Sequence, residues 1–223
     1  MALVSNDFID KTRVHFIHGF NSRNTQADGT LKQNEKIAAV QAMCHENGWD
    51  FIAEDVDYHR PEAIDAFIED RVQQSLAYDC QSLFIGTSLG GLMAFLIARR
   101  GHAKCALLNP ALVPRDGTLD TYRDETLTNF VTGETYTMPG SAIDRINALK
   151  TEALEYILGM RRDDEWGRQV HLDLGDEILN SRKTAALFDG YGAVFTYEGG
   201  SHRFEHIQSA VPEIVRLVNT IFL

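Results

Sequence analysis

A chain of 223 residues fits one domain of generous size, and 44% hydrophobic residues suffice for a real core. A net charge of −11 argues against nucleic acid and anionic membrane surfaces as partners. There is no apolar run long enough for a transmembrane helix, and the amino terminus, MALVSNDFIDKTR, lacks the basic and apolar regions of a secretory signal. The three cysteines, Cys44, Cys80 and Cys105, are odd in number, widely spaced and free of any CxxC pair. That usage fits buried free thiols in a reducing compartment, so a cytoplasmic location is expected.

In chain order, the first strand-length apolar run is Arg13–Ile17, followed by His18-Gly19-Phe20. The second, Asp50–Val56, precedes Pro61, a residue suited to a helix start. After it Ile64, Phe67, Ile68, Val72 and Leu76 share one helical face. The third run, Ser82–Ile85, leads into Leu89–Ala98, a helical pattern apolar nearly all round and therefore buried on several sides. Ala103–Leu108 is the fourth run. Residues 114 to about 168 then break the rhythm, far exceeding an ordinary connection. Their first part is polar and irregular; from Ser141 to about Leu158, Ile143, Ile146, Ala153, Leu154 and Ile157 recur at helical spacing. The segment reads either as an insertion that caps the site or as a loop plus crossover helix. Gln169–Leu174 and Ala193–Tyr197 follow, and a last helix carries Ile207, Val211, Ile214, Val215, Val218 and Ile221 on one face. Strand and helix alternation predicts a single α/β domain over 1–223, with a mainly parallel, doubly wound sheet covered by helices on both faces.

The sequence Gly86-Thr87-Ser88-Leu89-Gly90 lies where the third strand should turn sharply into its helix. A GxSxG match alone arises by chance in roughly one chain in ten to fifteen of this length, so its weight comes from that placement. In such a turn the serine takes a strained conformation, and side chains two positions to either side would collide, which glycine avoids. The hydroxyl then stands at the carboxyl edge of the sheet, above the free N–H groups of a helix N-terminus.

A serine needs a base to act as nucleophile. Past the fifth strand stands Gly175-Asp176-Glu177, and past the sixth Gly199-Gly200-Ser201-His202. The order serine, acid, histidine makes Ser88 the candidate nucleophile, His202 the base and Asp176 the residue that orients the imidazole. Glu177 and Asp173 are rival acids, Asp173 the weaker because it lies within a strand pattern. His171 also sits in a strand pattern, His206 begins the last helix, and His45, His59 and His102 occupy no matching position. The turn through Gly19 could aim the Phe20 N–H at the reaction centre, where with the Leu89 N–H it would form an oxyanion hole. His18 reads better as a structural histidine bonded to nearby backbone.

With HGF, GTSLGG, GDE and GGSH in this order, the chain resembles the α/β-hydrolase superfamily. More narrowly, it resembles small bacterial esterases of the YqiA/YcfP type, through Ile17–Ser22, Gly86–Gly91, Leu108–Leu112, Thr132–Glu134, Gly175–Glu177 and Gly199–Phe204. The resemblance implies hydrolysis of a small-molecule carboxylic ester, or a thioester, with no metal or cofactor. The polar stretch around Asp116–Tyr136 departs from it, so substrate preference does not carry over. An acyl-coenzyme A thioesterase is a competing reading, weakened by the acidic charge and by a local arginine group limited to Arg161, Arg162 and Arg168. A non-catalytic binding protein on the same scaffold is another.

Overall fold

A computed structural model describes residues 11–77, 80–114, 119–159, 167–190 and 192–220. The strands are β1 (Thr12–Ile17), β2 (Asp50–Glu54), β3 (Gln81–Thr87), β4 (Lys104–Leu108), β5 (Thr126–Thr128), β6 (Thr135–Thr137), β7 (Arg168–Asp173) and β8 (Ala193–Tyr197). Six of them form one parallel sheet in the order β2-β1-β3-β4-β7-β8, while β5 and β6 make a separate antiparallel pair. The helices are α1 (Glu35–Asn47), α2 (Pro61–Leu76), α3 (Leu89–Gly101), α4 (Gly140–Gly159), α5 (Ser181–Leu187) and α6 (Ile207–Asn219). This is the expected doubly wound α/β arrangement.

The two-residue period of the strands splits the core into two layers. On β3, Phe84 faces the layer of α2, α3 and α4, while Leu83 and Ile85 face that of α1 and α6. On β4, Cys105 and Leu107 take the first side and Ala106 and Leu108 the second. Burial on both faces explains why these strands read as continuous apolar runs. Pro61 is the first residue of α2, as expected. α1 is a helix that the reading of the sequence does not contain. Its start is fixed by Asn34, whose side chain accepts the Ile37 N–H at 2.9 Å, and its end by Gly48 at φ 70°.

The long interruption divides into two parts. Residues 119–122 form a 3-10 turn and β5 and β6 a hairpin, in a stretch read as irregular. α4 instead belongs to the core layer, burying Ile143, Ile146, Leu149, Ala153 and Ile157 against the α2 and α3 side. The hairpin is tied to the segment after β1. Asn21 donates through Nδ2 to the Thr128 carbonyl at 3.1 Å and accepts the Tyr136 hydroxyl at 2.9 Å. Its own carbonyl accepts the Phe130 N–H at 3.2 Å. Ile221, Arg161 and Arg162 lie outside the described residues.

Two buried histidines are held neutral. His171 stacks on Phe195 with ring centroids 4.8 Å apart and is bonded to Tyr197 Oη and Gln169 Oε1. Burial pushes it down to about 3, and pushes His18, just past β1, down to about 4.

Removing side-chain volume from α4 should cost the whole domain. Ile146→Ala is expected to lower the unfolding free energy by about 2–5 kcal/mol in urea denaturation; a change below about 1 kcal/mol would place α4 outside the core. Because His18 and His171 titrate lower folded than unfolded, unfolding takes up protons as pH drops below about 6.5. Their stabilisation is complete above that pH and is lost on acidification toward about 4 for His18 and about 3 for His171. Urea unfolding at pH 5 should therefore show a loss of roughly 2 kcal/mol per histidine relative to neutral pH, and His171→Phe should remove its share of that slope.

Candidate active site

The sheet order places the ends of β1 and β3 side by side, while the chain leaves them in opposite directions. α1, after β1, packs with α6 on one face, and α3, after β3, packs on the other. Such a divergence opens a crevice at the carboxyl edge of a parallel sheet. The residues after β1 and β3, 18–22 and 88–91, line its two sides.

Ser88 occupies the turn with φ 54° and ψ −119°, a region sparsely populated for any side chain. Its neighbours show why no other local sequence fits. A Cβ on Gly86 would lie 2.1 Å from the Gly90 carbonyl oxygen, and one on Gly90 would lie 2.4 Å from the carbonyl oxygens of both Ile17 and His18. The turn is also sewn to the next strand. Ser88 N–H donates to the Leu108 carbonyl at 3.0 Å, and the Ser88 carbonyl accepts the Ala111 N–H at 2.9 Å.

The three side chains singled out from the sequence meet here. Ser88 Oγ lies 2.9 Å from His202 Nε2, and His202 Nδ1 lies 3.0 Å from Asp176 Oδ2. Asp176 is fully buried, and its Oδ1 accepts the N–H groups of Ile178 and Leu179 at 2.8 and 2.7 Å. The carboxylate thus faces donors on both oxygens. With Nδ1–H given to Asp176, the Nε2 lone pair is directed at the serine hydroxyl.

The segments that carry the Phe20 and Leu89 amides adjoin Ser88. Leu89 is the first residue of α3, so its N–H has no intrahelical acceptor. On the other side, a Cβ at Gly19 would lie 3.2 Å from Ser88 Cβ and 3.7 Å from Ser88 Oγ. His18 fixes this segment. Its Nε2 accepts the Val56 N–H at 2.9 Å, so the proton resides on Nδ1, which donates to the Gly19 carbonyl at 2.7 Å. Carbonyl and N–H point oppositely in a trans peptide, so the Phe20 N–H is turned away from the His18 ring. His18 is therefore a backbone-bonding structural histidine, as expected.

The rivals have other partners. Glu177 Oε2 accepts the backbone N–H of His202 at 2.9 Å. Asp173 bonds His206 Nδ1 at 2.7 Å. His59 lies against the Tyr136 ring at 4.6 Å. Two asparagines were not picked out from the sequence. Asn21 anchors the hairpin. Asn109, at φ 42°, donates to the Ser201 carbonyl and accepts the Asp173 N–H, each at 2.9 Å. Its signal is an asparagine at a strand end, a residue type that tolerates positive φ, although the proline after it favours extended backbone. A shallow polar cleft opens beside the segment after β1, lined by Asn21, Arg23, Asp57, His59, Glu134 and Tyr136 among others, but by neither Ser88 nor His202. Among the described residues no group of three or more His, Cys, Asp or Glu side chains is placed to hold a metal ion, and no helix is long and apolar enough to cross a membrane.

Solved structures share the fold at low identity. Est1E from Butyrivibrio proteoclasticus is 17% identical with a TM-score of 0.60, covering 97% of this chain and 92% of its own. A monoacylglycerol lipase from Paleococcus ferrophilus is 13% identical with a TM-score of 0.67, covering 93% and 94%. A soluble variant of the monoglyceride lipase from Saccharomyces cerevisiae is 10% identical with a TM-score of 0.60, covering 96% and 87%. A search of the curated proteins returns no match. The family model described as "Uncharacterised protein family (UPF0227)" matches residues 13–219. The sheet thus has the fold of the solved α/β hydrolases, and the chain, matched over nearly its whole length, belongs to the UPF0227 family.

Proposed function

We propose that the protein is a serine hydrolase that cleaves small-molecule carboxylic esters through an acyl-enzyme on Ser88. The observation that carries this reading is the unbroken hydrogen-bonded line from buried Asp176 through His202 to Ser88 Oγ. His202 takes the hydroxyl proton as Ser88 attacks the ester carbonyl. Asp176 holds the imidazole in the required tautomer and stabilises its cation. The Phe20 and Leu89 N–H groups receive the developing oxyanion. The alcohol leaves with the proton from His202, and water, activated by the same imidazole, releases the acid.

The names of the structural neighbours agree with ester chemistry: two are monoacylglycerol or monoglyceride lipases, and Est1E is also known with ferulic acid bound. We assign the 3-10 turn at 119–122 and the β5–β6 hairpin as the cap over the carboxyl edge. Its hairpin is bonded to Asn21, next to Phe20, and its 3-10 turn brings Tyr122 within 5.2 Å of the Phe20 ring. The cytoplasm remains the compartment that the cysteine usage favours.

A fluorophosphonate probe is expected to label the native protein and not Ser88→Ala; equal labelling of the two would sink the assignment. On a p-nitrophenyl ester series of graded acyl length, Ser88→Ala should lose at least about a thousandfold in kcat, and Asp176→Asn a similar factor through loss of the working tautomer. Matched oxygen and sulfur esters separate an esterase from a thioesterase. Absence of any turnover on a broad panel would favour a binding role.

A further inference from the structure

Beside the Asp176 and His202 pair lies a second carboxylate and imidazole, Asp173 and His206, which the hydrolytic steps do not use. We propose that Asp173 is a positioning residue whose buried carboxylate holds the turn 199–206, so that His202 reaches Ser88 and Asp176 at once. This rests on the serine-hydrolase reading of the site.

The turn needs holding. Gly199, Gly200 and Phe204 all have positive φ, at 73°, 68° and 58°. Asp173 closes β7 and is fully buried. Its Oδ2 accepts two backbone N–H groups of the turn, Glu205 at 2.7 Å and Ser201 at 3.3 Å, and Oδ1 receives His206 Nδ1–H at 2.7 Å. The two amides bracket His202, one on each side in sequence, so a single carboxylate restrains both flanks of the residue that must be aimed. The fit is close. A Cβ on Gly200 would fall 2.1 Å from Asp173 Oδ2, so only a residue without a side chain lets the turn settle on the carboxylate.

Other groups complete the cradle from different elements. Asn109, after β4, ties the Ser201 carbonyl to the Asp173 backbone. Lys36, on α1, donates to the Arg203 carbonyl. His206 stacks on Tyr197 with centroids 5.1 Å apart and planes 9° from parallel, which sets the ring that faces Asp173. Glu177 also holds the turn, through the His202 N–H, but Asp173 takes three of its donors. It cannot replace Asp176 as the acid, because its oxygens are committed to the turn while His202 Nδ1 faces Asp176. Misplacement of a reacting group by about 1 Å costs on the order of a hundredfold in rate, so such a restraint bears on catalysis without contact with substrate.

Asp173→Asn keeps the shape but presents an NH₂ group to donors. It is expected to lower kcat by about 10- to 100-fold with KM changed less than about threefold. It should also broaden or abolish the downfield proton resonance of His202 Nδ1–H, assigned by its absence in His202→Gln. The resonance is read without substrate. Failure of the hydrolase reading, seen as no Ser88-dependent turnover by the native protein, is thereby separable from failure of this inference. A folded Asp173→Asn with native kcat and native resonance overturns the proposal, even if its melting temperature falls. Should that variant not fold, His206→Phe, which keeps the stacking and removes the hydrogen bond, carries the test. A fall in kcat of about three- to tenfold with a broadened resonance supports the proposal, and native values of both overturn it.

Discussion

The structure depends on one contact between backbones: the first turn of α3 pressed against the end of β1. Gly90 sits on the carbonyls of Ile17 and His18, and Gly86 sits under Gly90, with no room for a methyl group at either place. That contact forces Ser88 into its unfavourable backbone conformation, a cost of about 1–3 kcal/mol. What offsets it is the helix behind. Eleven of the thirteen residues of α3 are buried, and a single large apolar side chain among them contributes about 1.5–3 kcal/mol. Ser88 is therefore strained locally and secured globally, and the same contact brings the His18–Phe20 segment to it.

How much of this could be read from the sequence follows from how each element is stabilised. β3, β4 and α3 were legible because burial on all sides leaves almost no polar residue in them. The turn at Ser88 was legible because its glycines answer a steric demand within five residues. α1 was not, since its start depends on a single capping asparagine and its apolar face, Ile37, Val40, Met43 and Cys44, is interrupted by polar and small residues. The hairpin was hidden for a different reason. Thr126–Thr128 and Thr135–Thr137 bury little, and they are held by a residue more than a hundred positions away. Asp176 and His202 could be named from their places after strands, but the cradle under His202 could not. It is assembled from α1, β4, β7 and β8, and nothing in a local pattern brings Lys36, Asn109 and Asp173 together.

The chain uses aspartate and histidine twice within a few residues, and environment separates the two uses. Asp176 offers one oxygen to backbone amides and the other to an imidazole that continues to a hydroxyl. Asp173 spends both oxygens on a turn and on a ring that ends the line by stacking on tyrosine. His171 and His18 are a third kind, enclosed and neutral, bonded to a tyrosine, a glutamine or the main chain. Identity of residue type says little here; the number and kind of groups facing each ring decide its part.

Asn21 has a consequence of its own. Its amide nitrogen, amide oxygen and main-chain carbonyl are all engaged by the β5–β6 hairpin, and it is the immediate neighbour of Phe20. Variation in the hairpin is thus transmitted to the peptide next to Phe20, in the turn that passes beside Ser88. Lineages that remodel this surface must either preserve the asparagine's three partners or re-tune the Gly19–Phe20 turn beside Ser88 at the same time, so the two surfaces change together.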